Sequence, residues 1–288
     1  MNLVARSVEV ILAGQSPSGG YVASPTFATY HYSWLRDGCF IADAMREAGE
    51  VASCDRFLDW CGRIVMRSPE GPFDARYTLD GEPDESGWPR RQIDGWGLFL
   101  GTIRRRASSR WEEPAAHVAR WLERVWGEPS TDWWEEREGI HAVTLWCVGN
   151  GLDSEEIRRE ALARAHDRLD ASLLFIGRPE LVAWVTDSLV SPGGGVWRHL
   201  DDEYYGGGEW LLLTAMLGLA DRARAPACRR WIEAHATDDG LLPEQAQDHL
   251  LRPERYAPWV EKWGDPPCPL LWSHAMYLRL HHALRDRR

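Results

Sequence analysis

The sequence lacks most of the signatures by which a chain announces its chemistry. No run approaches the roughly 18 apolar residues that a bilayer span needs, so no membrane partner is expected. Residues 1–16 hold only short apolar pieces broken by Arg6 and Glu9, without the basic start and long apolar centre of an export signal. A cytoplasmic protein is the expectation, although a processed fragment of an exported one reads the same way. The six cysteines (Cys39, Cys54, Cys61, Cys147, Cys228, Cys268) include no Cys-x-x-Cys pair, and a 288-residue chain has a core of its own. Buried thiols in a reducing compartment are therefore expected rather than a disulfide scaffold. There is no His-Glu-x-x-His, and the ten histidines show no ligand spacing beyond His281-His282, so neither metal nor cofactor is expected. No Gly-x-Ser-x-Gly elbow or phosphate loop occurs, and no strand precedes the glycines at 193–195 and 206–208, as a dinucleotide fingerprint requires. Positive charge is also in deficit. The net charge of −11 repels phosphate backbones, which argues against a nucleic-acid partner.

What the chain does have is tryptophan, 17 of them. An indole packs its flat face on the axial C–H groups of a pyranose while its N–H donates a hydrogen bond. Filling a helical core is the competing use, and it weighs less where Trp stands beside carboxylates and glycines, as at Trp88, Trp133, Trp134 and Trp210.

Apolar residues recur at helical spacing almost throughout, and no run alternates long enough to argue for a sheet. Helices are expected over 2–14, 39–48, 51–66, 93–106, 113–126, 141–148, 154–166, 170–175, 179–189, 209–223, 225–236 and 270–284. Short connections alternate with long ones at 16–37, 68–92, 128–140, 191–208 and 237–269, and long loops in a compact domain usually carry function. Their recurrence after pairs of helices suggests one toroid of helical hairpins. No repeat, low-complexity segment or linker divides the chain.

The long loops hold dense polar and aromatic clusters. Tyr30-His31-Tyr32-Ser33-Trp34-Leu35-Arg36-Asp37 offers a donor and an acceptor side by side, suited to two hydroxyls of one sugar. The alternative is an Asp that caps a helix and an Arg that pairs with it. In Trp88-Pro89-Arg90-Arg91-Gln92-Ile93-Asp94-Gly95, Trp88 and Arg90 face a ligand in one reading, while Asp94, or else Gln92, caps the next helix. Asp132-Trp133-Trp134-Glu135-Glu136 is the most pointed segment: two indoles beside two carboxyls supply the apolar wall that raises a carboxyl pKa and makes a general acid. An exposed acidic turn is its alternative. Leu242-Pro243-Glu244-Gln245, with Trp272-Ser273-His274 after it, is weak taken alone. The glycines flanking Val196-Trp197-Arg198 and Tyr204-Tyr205 read as flexible backbone near a ligand.

Taken in order, these segments resemble glycoside hydrolase family 15, the glucoamylase family. Tyr-x-Tyr-Ser-Trp-Leu-Arg-Asp at 30–37, Trp-x-Arg-x-Gln-x-Asp-Gly at 88–95 and Asp-x-Trp-Glu-Glu at 132–136 are similar to its first three motifs. Arg198 with Asp202 and Tyr204-Tyr205 is similar to its sugar clamp, and Leu242-x-Glu244-Gln245 to its base segment. The resemblance implies an all-α, (α/α)6 toroid of six hairpins occupying residues 1–288 as a single catalytic domain, without an N-terminal β-sandwich or a starch-binding module. It implies Glu135 as general acid and Glu244 as general base. Arg36, Asp37 and Arg198 would grip the terminal glucose, with Tyr30 and Trp34 shaping that pocket. Trp88, Arg90 and Glu136 would border the leaving-group sugar, and Trp134 would also bind substrate. The activity implied is inverting, exo-acting release of β-glucose from a short α-gluco-oligosaccharide or small α-glucoside, with acid and base about 6.5–9.5 Å apart to admit a water. The small carbohydrate is the only partner implied. The chain departs from the family pattern in its short passage from 154–166 to Asp170, in Pro243 where Ser is common, and in Glu203 and Gly206 of the clamp loop. These departures leave linkage specificity open. Two other functions stay in view: a carbohydrate-sensing or regulatory toroid without catalysis, and a related inverting toroid hydrolase, trehalase-like, with another substrate.

Overall fold

A computed structural model describes residues 2–285. Among them are twelve α-helices, four short 3₁₀ segments and seven strands of two residues each. No helix among the described residues is long and apolar enough to cross a membrane. All six cysteines are free thiols, and all but Cys268 are buried.

The chain forms two compact units. One comprises residues 13–23 and 29–167. Its helices are α2 (Leu35–Glu47), α3 (Val51–Arg67), α4 (Asp94–Arg106), α5 (Glu112–Val125), α6 (Ala142–Gly151) and α7 (Glu155–Arg164). They alternate in character. α2, α4 and α6 lie side by side and are buried on nearly every face. α3, α5 and α7 pack on the outside of their partners with one apolar stripe each; α5 buries Val118, Trp121 and Leu122 and turns Glu113 and Arg124 to solvent. The inner helices approach closely because glycine lets them. A Cβ on Gly97 of α4 would stand 2.6 Å from the Cys147 carbonyl of α6. The ends carry ordinary signals: Gly49 at φ +92° follows α2, and Ser154 caps α7 by accepting the Ile157 N–H.

The other unit comprises residues 1–12, 24–28 and 168–288. Here α9 (Leu211–Ala220) and α12 (Leu271–Arg285) are the buried helices, with α10 (Ala225–Ala234) packed against both. α1 (Leu3–Ala13) meets α12 through Ser7, and α8 (Pro179–Leu189) packs on the 3₁₀ segment Ala171–Phe175. That segment is where an α-helix over 170–175 was expected. Asp170 accepts from both the backbone N–H and the hydroxyl of Ser172, and Gly177 at φ +71° breaks the chain soon after, so only a tight five-residue coil fits. In its place the chain has α11 (Pro253–Trp263), inside what the sequence reads as a loop. Pro258 within it reads as a helix breaker; its half-buried Tyr256 and Trp259 cover the 3₁₀ turn Tyr204–Gly206.

The strands are too short to leave an alternating pattern. β1 (Ser33–Trp34) pairs antiparallel with β2 (Arg76–Tyr77), setting Trp34 opposite Arg76. β3 (Ser130–Thr131) and β4 (Glu138–Gly139) form a hairpin. β5 (Val196–Trp197), β6 (Glu209–Trp210) and β7 (Gln245–Ala246) make a three-stranded sheet with β6 in the middle. β1 runs straight into α2 and β6 straight into α9, so these ladders anchor the loops that precede buried helices.

Candidate active site

Glu135 sits at the tip of the β3–β4 hairpin. Asp132 builds the turn: its carboxylate accepts the Glu136 N–H at 2.8 Å, and its own N–H donates to the Arg137 carbonyl at 2.8 Å. This turn holds Glu135 at φ +63°, a left-handed conformation that a non-glycine residue adopts at a cost of order 1–3 kcal/mol. The side chain is only 6% exposed. Trp34 donates its indole N–H to Oε1 at 2.7 Å, and Trp88 donates to Oε2 at 2.6 Å. Arg36 Nη1 also reaches Oε1, at 3.4 Å.

Arg36 knots this cluster together. Its Nε donates to Asp37 at 3.1 Å, and its Nη1 to Gln92 Oε1 at 3.1 Å and to the Trp133 carbonyl. Gln92 in turn donates to the Asp132 carbonyl at 2.6 Å, tying α4's entry to the hairpin. Burial raises the Glu135 carboxyl above the ordinary range; Arg36 and the Trp88 and Trp34 donors pull against it, and Asp37 pushes with it. Burial also raises Asp37, against the pull of Arg36. Asp94, first residue of α4, is fully buried and pushed up to about 7, chiefly by burial.

The sequence expectation of two indoles flanking Glu135 holds with different indoles. Trp133 points inward and packs on Phe40, with Trp134 beside it. The rings that reach the carboxyl belong to Trp34 and Trp88. Tyr30 packs edge-on against Trp34. Arg90 is committed to a bidentate pair with Asp74 at 3.0 and 2.6 Å, and the Glu136 side chain is exposed. Asp94, read as a helix cap, is instead the first residue of α4, where it accepts the Gly95 N–H at 2.6 Å; the cap position is Ile93.

The second cluster belongs to the other unit. Arg198 follows β5 and forms a buried bidentate pair with Asp202, at 2.8 and 2.6 Å. Its guanidinium lies 4.9 Å from the Trp210 ring and 5.4 Å from Tyr204. Glu244 directly precedes β7 and is 2% exposed. Backbone fixes it: its N–H donates to the Pro267 carbonyl at 2.8 Å, and its carbonyl accepts from Leu211 at the start of α9. Ser273 donates to the Pro243 carbonyl at 2.8 Å. His274 accepts the Leu242 N–H at Nε2 and meets Ser7 through Nδ1, a neutral imidazole whose pKa burial pushes down to about 3. Burial and the charge of Glu244 push the Tyr205 phenol up to about 12.

The glycines here supply close approach rather than flexibility. Tyr205, Gly206 and Gly207 are all left-handed, and a Cβ on Gly208 would stand 2.4 Å from the Ala246 carbonyl. The sequence pattern gives no sign of Arg76 or Asp84. Arg76 and Asp84 lie in a stretch that offered only a generic charged loop. Gln245, matched with the base segment but given no role there, accepts the Gly208 N–H at 2.9 Å.

The profile of glycosyl hydrolases family 15 matches residues 1–230. An isomaltose glucohydrolase from Kribbella flavida is 33% identical, with 98% of this chain and 92% of that protein aligned. A wild-type glycosidase structure superposes with a TM-score of 0.86 at 32% identity, covering 98% of this chain and 96% of that one. A bacterial glucoamylase complexed with acarbose shares the fold at 18% identity and a TM-score of 0.77, this chain spanning 56% of its length. With a family match over residues 1–230 and a relative one-third identical along nearly its whole length, the chain belongs to glycosyl hydrolases family 15 and is a glycoside hydrolase of the (α/α)6 toroid fold.

Proposed function

We propose that this enzyme releases β-glucose from the non-reducing end of a short α-glucoside, with an α-1,6-linked disaccharide of the isomaltose type as the leading substrate. Glu135 is the general acid and Glu244 the general base. The observation that carries the reading is the Glu135 carboxyl: buried, raised in proton affinity, and held at both oxygens by indole donors. A carboxyl kept protonated towards neutral pH and fixed in direction is what protonating a glycosidic oxygen requires. Inversion then needs a second carboxylate to deprotonate water on the far face of the ring, and Glu244, positioned by backbone, has that role. Because the two glutamates come from different units, the reading treats the whole chain as one catalytic domain.

Arg36 and Asp37, with Arg198 braced by Asp202, are assigned to the hydroxyls of the terminal glucose, and Tyr30 and Trp34 to its walls. Trp88, Trp134 and Glu136 are assigned to the leaving-group side. Arg90 joins them only if substrate draws it from Asp74. The substrate assignment draws on the relative named an isomaltose glucohydrolase and on a glycosidase structure in complex with glucose at 32% identity. A reducing, cytoplasmic setting fits six unpaired thiols.

The test is a panel of glucobioses with glucose release as readout, followed by proton NMR of the anomeric signals in the first minutes. The α-1,6 disaccharide is expected to be cleaved fastest and to give the β-anomer first. An early α-anomer would overturn the roles of both glutamates. Fastest cleavage of another linkage would overturn the substrate alone.

A further inference from the structure

Arg76 is 2% exposed, and the ladder between β1 and β2 sets it directly opposite Trp34. Its guanidinium carbon lies 4.2 Å from the centre of the Tyr32 ring, 4.6 Å from Trp34 and 4.3 Å from Trp88. All three distances are inside the ~6 Å within which a cation is attracted to an aromatic face. Three hydrogen bonds fix the cation: Nε to Asp84 at 2.7 Å, Nη2 to the Ser86 hydroxyl at 2.9 Å, and Nη1 to the Thr29 carbonyl at 3.2 Å. Asp84 is itself held by the Ser86 N–H and hydroxyl, each at 2.9 Å. The result is a rigid charged plug walled by three rings.

Two of those rings are the ones that hold the acid. Trp34 and Trp88 come from separate segments and meet nearly at right angles, with centroids 6.0 Å apart, and each donates to a different oxygen of Glu135. An indole can direct its N–H only if its plane is fixed, and the shared cation fixes both planes at once. A cation on the ring face also draws electron density from the ring, which strengthens the N–H as a donor.

We propose that Arg76 is a positioning residue for the protonation step, clamping Trp34 and Trp88 in the orientation in which their N–H groups hold the Glu135 carboxyl. This rests on Glu135 being the acid. Arg76 touches neither substrate nor the carboxyl; it acts through the two indoles.

The experiment compares Arg76→Met, Arg76→Lys and Ser86→Ala with the unaltered enzyme. The pH dependence of kcat and kcat/KM is measured on the disaccharide cleaved fastest and on α-glucosyl fluoride, whose leaving group departs with little need of a proton. Arg76→Met is expected to lose about 10–100-fold in kcat on the disaccharide, a part of the ~10²–10⁴ that a positioned acid supplies, and under about threefold on the fluoride. The basic limb of its pH profile is expected to move up, because a carboxylate with weakened donors holds its proton more tightly. Arg76→Lys retains the charge and is expected to recover part of both effects. Ser86→Ala removes one anchor of the guanidinium from an exposed loop position, and a smaller change of the same kind decides the matter if Arg76→Met does not fold. Equal losses on the two substrates with an unmoved basic limb would reduce Arg76 to a structural ion pair and overturn the proposal. Glu135→Gln is run alongside. If it spares the fluoride and not the disaccharide, the acid assignment stands and Arg76 is tested by itself; if it spares both, the acid assignment fails and takes this proposal with it.

Discussion

Glu135 and Glu244 are both buried glutamates on short turns beside two-residue strands, yet their surroundings are built from different materials. Side chains from three other segments converge on Glu135: an indole from β1, a guanidinium from α2 and an indole from the loop before α4. Main-chain bonds place Glu244. Its N–H and C=O are both engaged, Trp210 opposite Gln245 fixes the register, and Ser273 and His274 grip the carbonyl of Pro243 and the N–H of Leu242. Side-chain donors tune how tightly a carboxyl holds its proton, whereas main-chain anchors tune where it stands. Changes around Glu135 should therefore show in pH dependence and leaving-group dependence, and changes around Glu244 in rate alone.

The largest effects come from removing the carboxyls themselves. Glu244→Ala is expected to lower kcat by about 10²–10⁴ on every α-glucoside, because the water must be activated whatever the leaving group. Glu135→Gln should lose as much on a disaccharide and far less on α-glucosyl fluoride. Steady-state kinetics on the two substrates check this, and a Glu244→Ala enzyme that discriminates between them would reverse the assigned roles.

Next in size is the buried pair of Arg198 and Asp202. Arg198→Ala leaves a buried carboxylate without its bidentate partner, which typically costs about 3–5 kcal/mol. The matching bidentate pair in the other unit, Arg90 with Asp74, has its arginine 57% exposed and its carboxylate 10% exposed against 0% for Asp202, so Arg90→Ala should cost less than Arg198→Ala. Urea unfolding of the two variants measures the difference. Comparable losses would mean that exposure does not separate these pairs.

How much of this the sequence disclosed follows from the same division. Outer helices such as α3 and α5 declare themselves by period, and the ten-residue α6 and α9, buried on nearly every face, by their apolar composition. So does the acid motif, since carboxyl and indole side chains crowded into one turn are visible as letters. Main-chain anchoring is not. Nothing in Leu242-Pro243-Glu244 says that its backbone bonds reach Pro267, Leu211 and His274, so Glu244 was readable only through the family resemblance. α11 was missed because Pro258 and the prolines and glycine around it read as loop, although Tyr256, Trp259 and Val260 form a half-buried stripe against Tyr204 and Tyr205. Trp34 escaped as a partner of Glu135 because the two are 101 residues apart.

The two regions should also answer pH in opposite directions. His274 has its pKa pushed down to about 3, so the unfolded chain takes up its proton first. Its contribution to stability is complete above about 6.5 and is lost as pH falls towards 3. Asp94 is pushed up to about 7, so the folded chain holds its proton more tightly, and stability is lost as pH rises from about 4 through 7. Each amounts to at most a few kcal/mol, since a tenfold change in proton affinity is worth about 1.4 kcal/mol. Melting temperature against pH should steepen on the acid side in Asp94→Asn and flatten there in His274→Gln. The same slope in both variants would show that neither group titrates with folding.

The smallest expected effect is the sharpest test of the contrast between the two carboxyls. Trp88→Phe keeps the ring and removes one donor to Glu135. Ser273→Ala removes one donor to the Pro243 carbonyl, next to Glu244. Either deletion takes away a single hydrogen bond worth about 1 kcal/mol, so each should lower kcat by no more than roughly tenfold. The difference lies in the pH profile. Losing an N–H that favours the carboxylate raises the Glu135 pKa further, and the basic limb of kcat/KM should move to slightly higher pH in Trp88→Phe. In Ser273→Ala the base is displaced while its proton affinity is left alone, so both limbs should stay in place as the rate falls. Profiles measured from acid to mildly alkaline pH on the disaccharide separate the two outcomes. A moved acidic limb in Ser273→Ala would mean that this hydroxyl tunes Glu244 as well as placing it, and the division between side-chain tuning and main-chain placement would then fail.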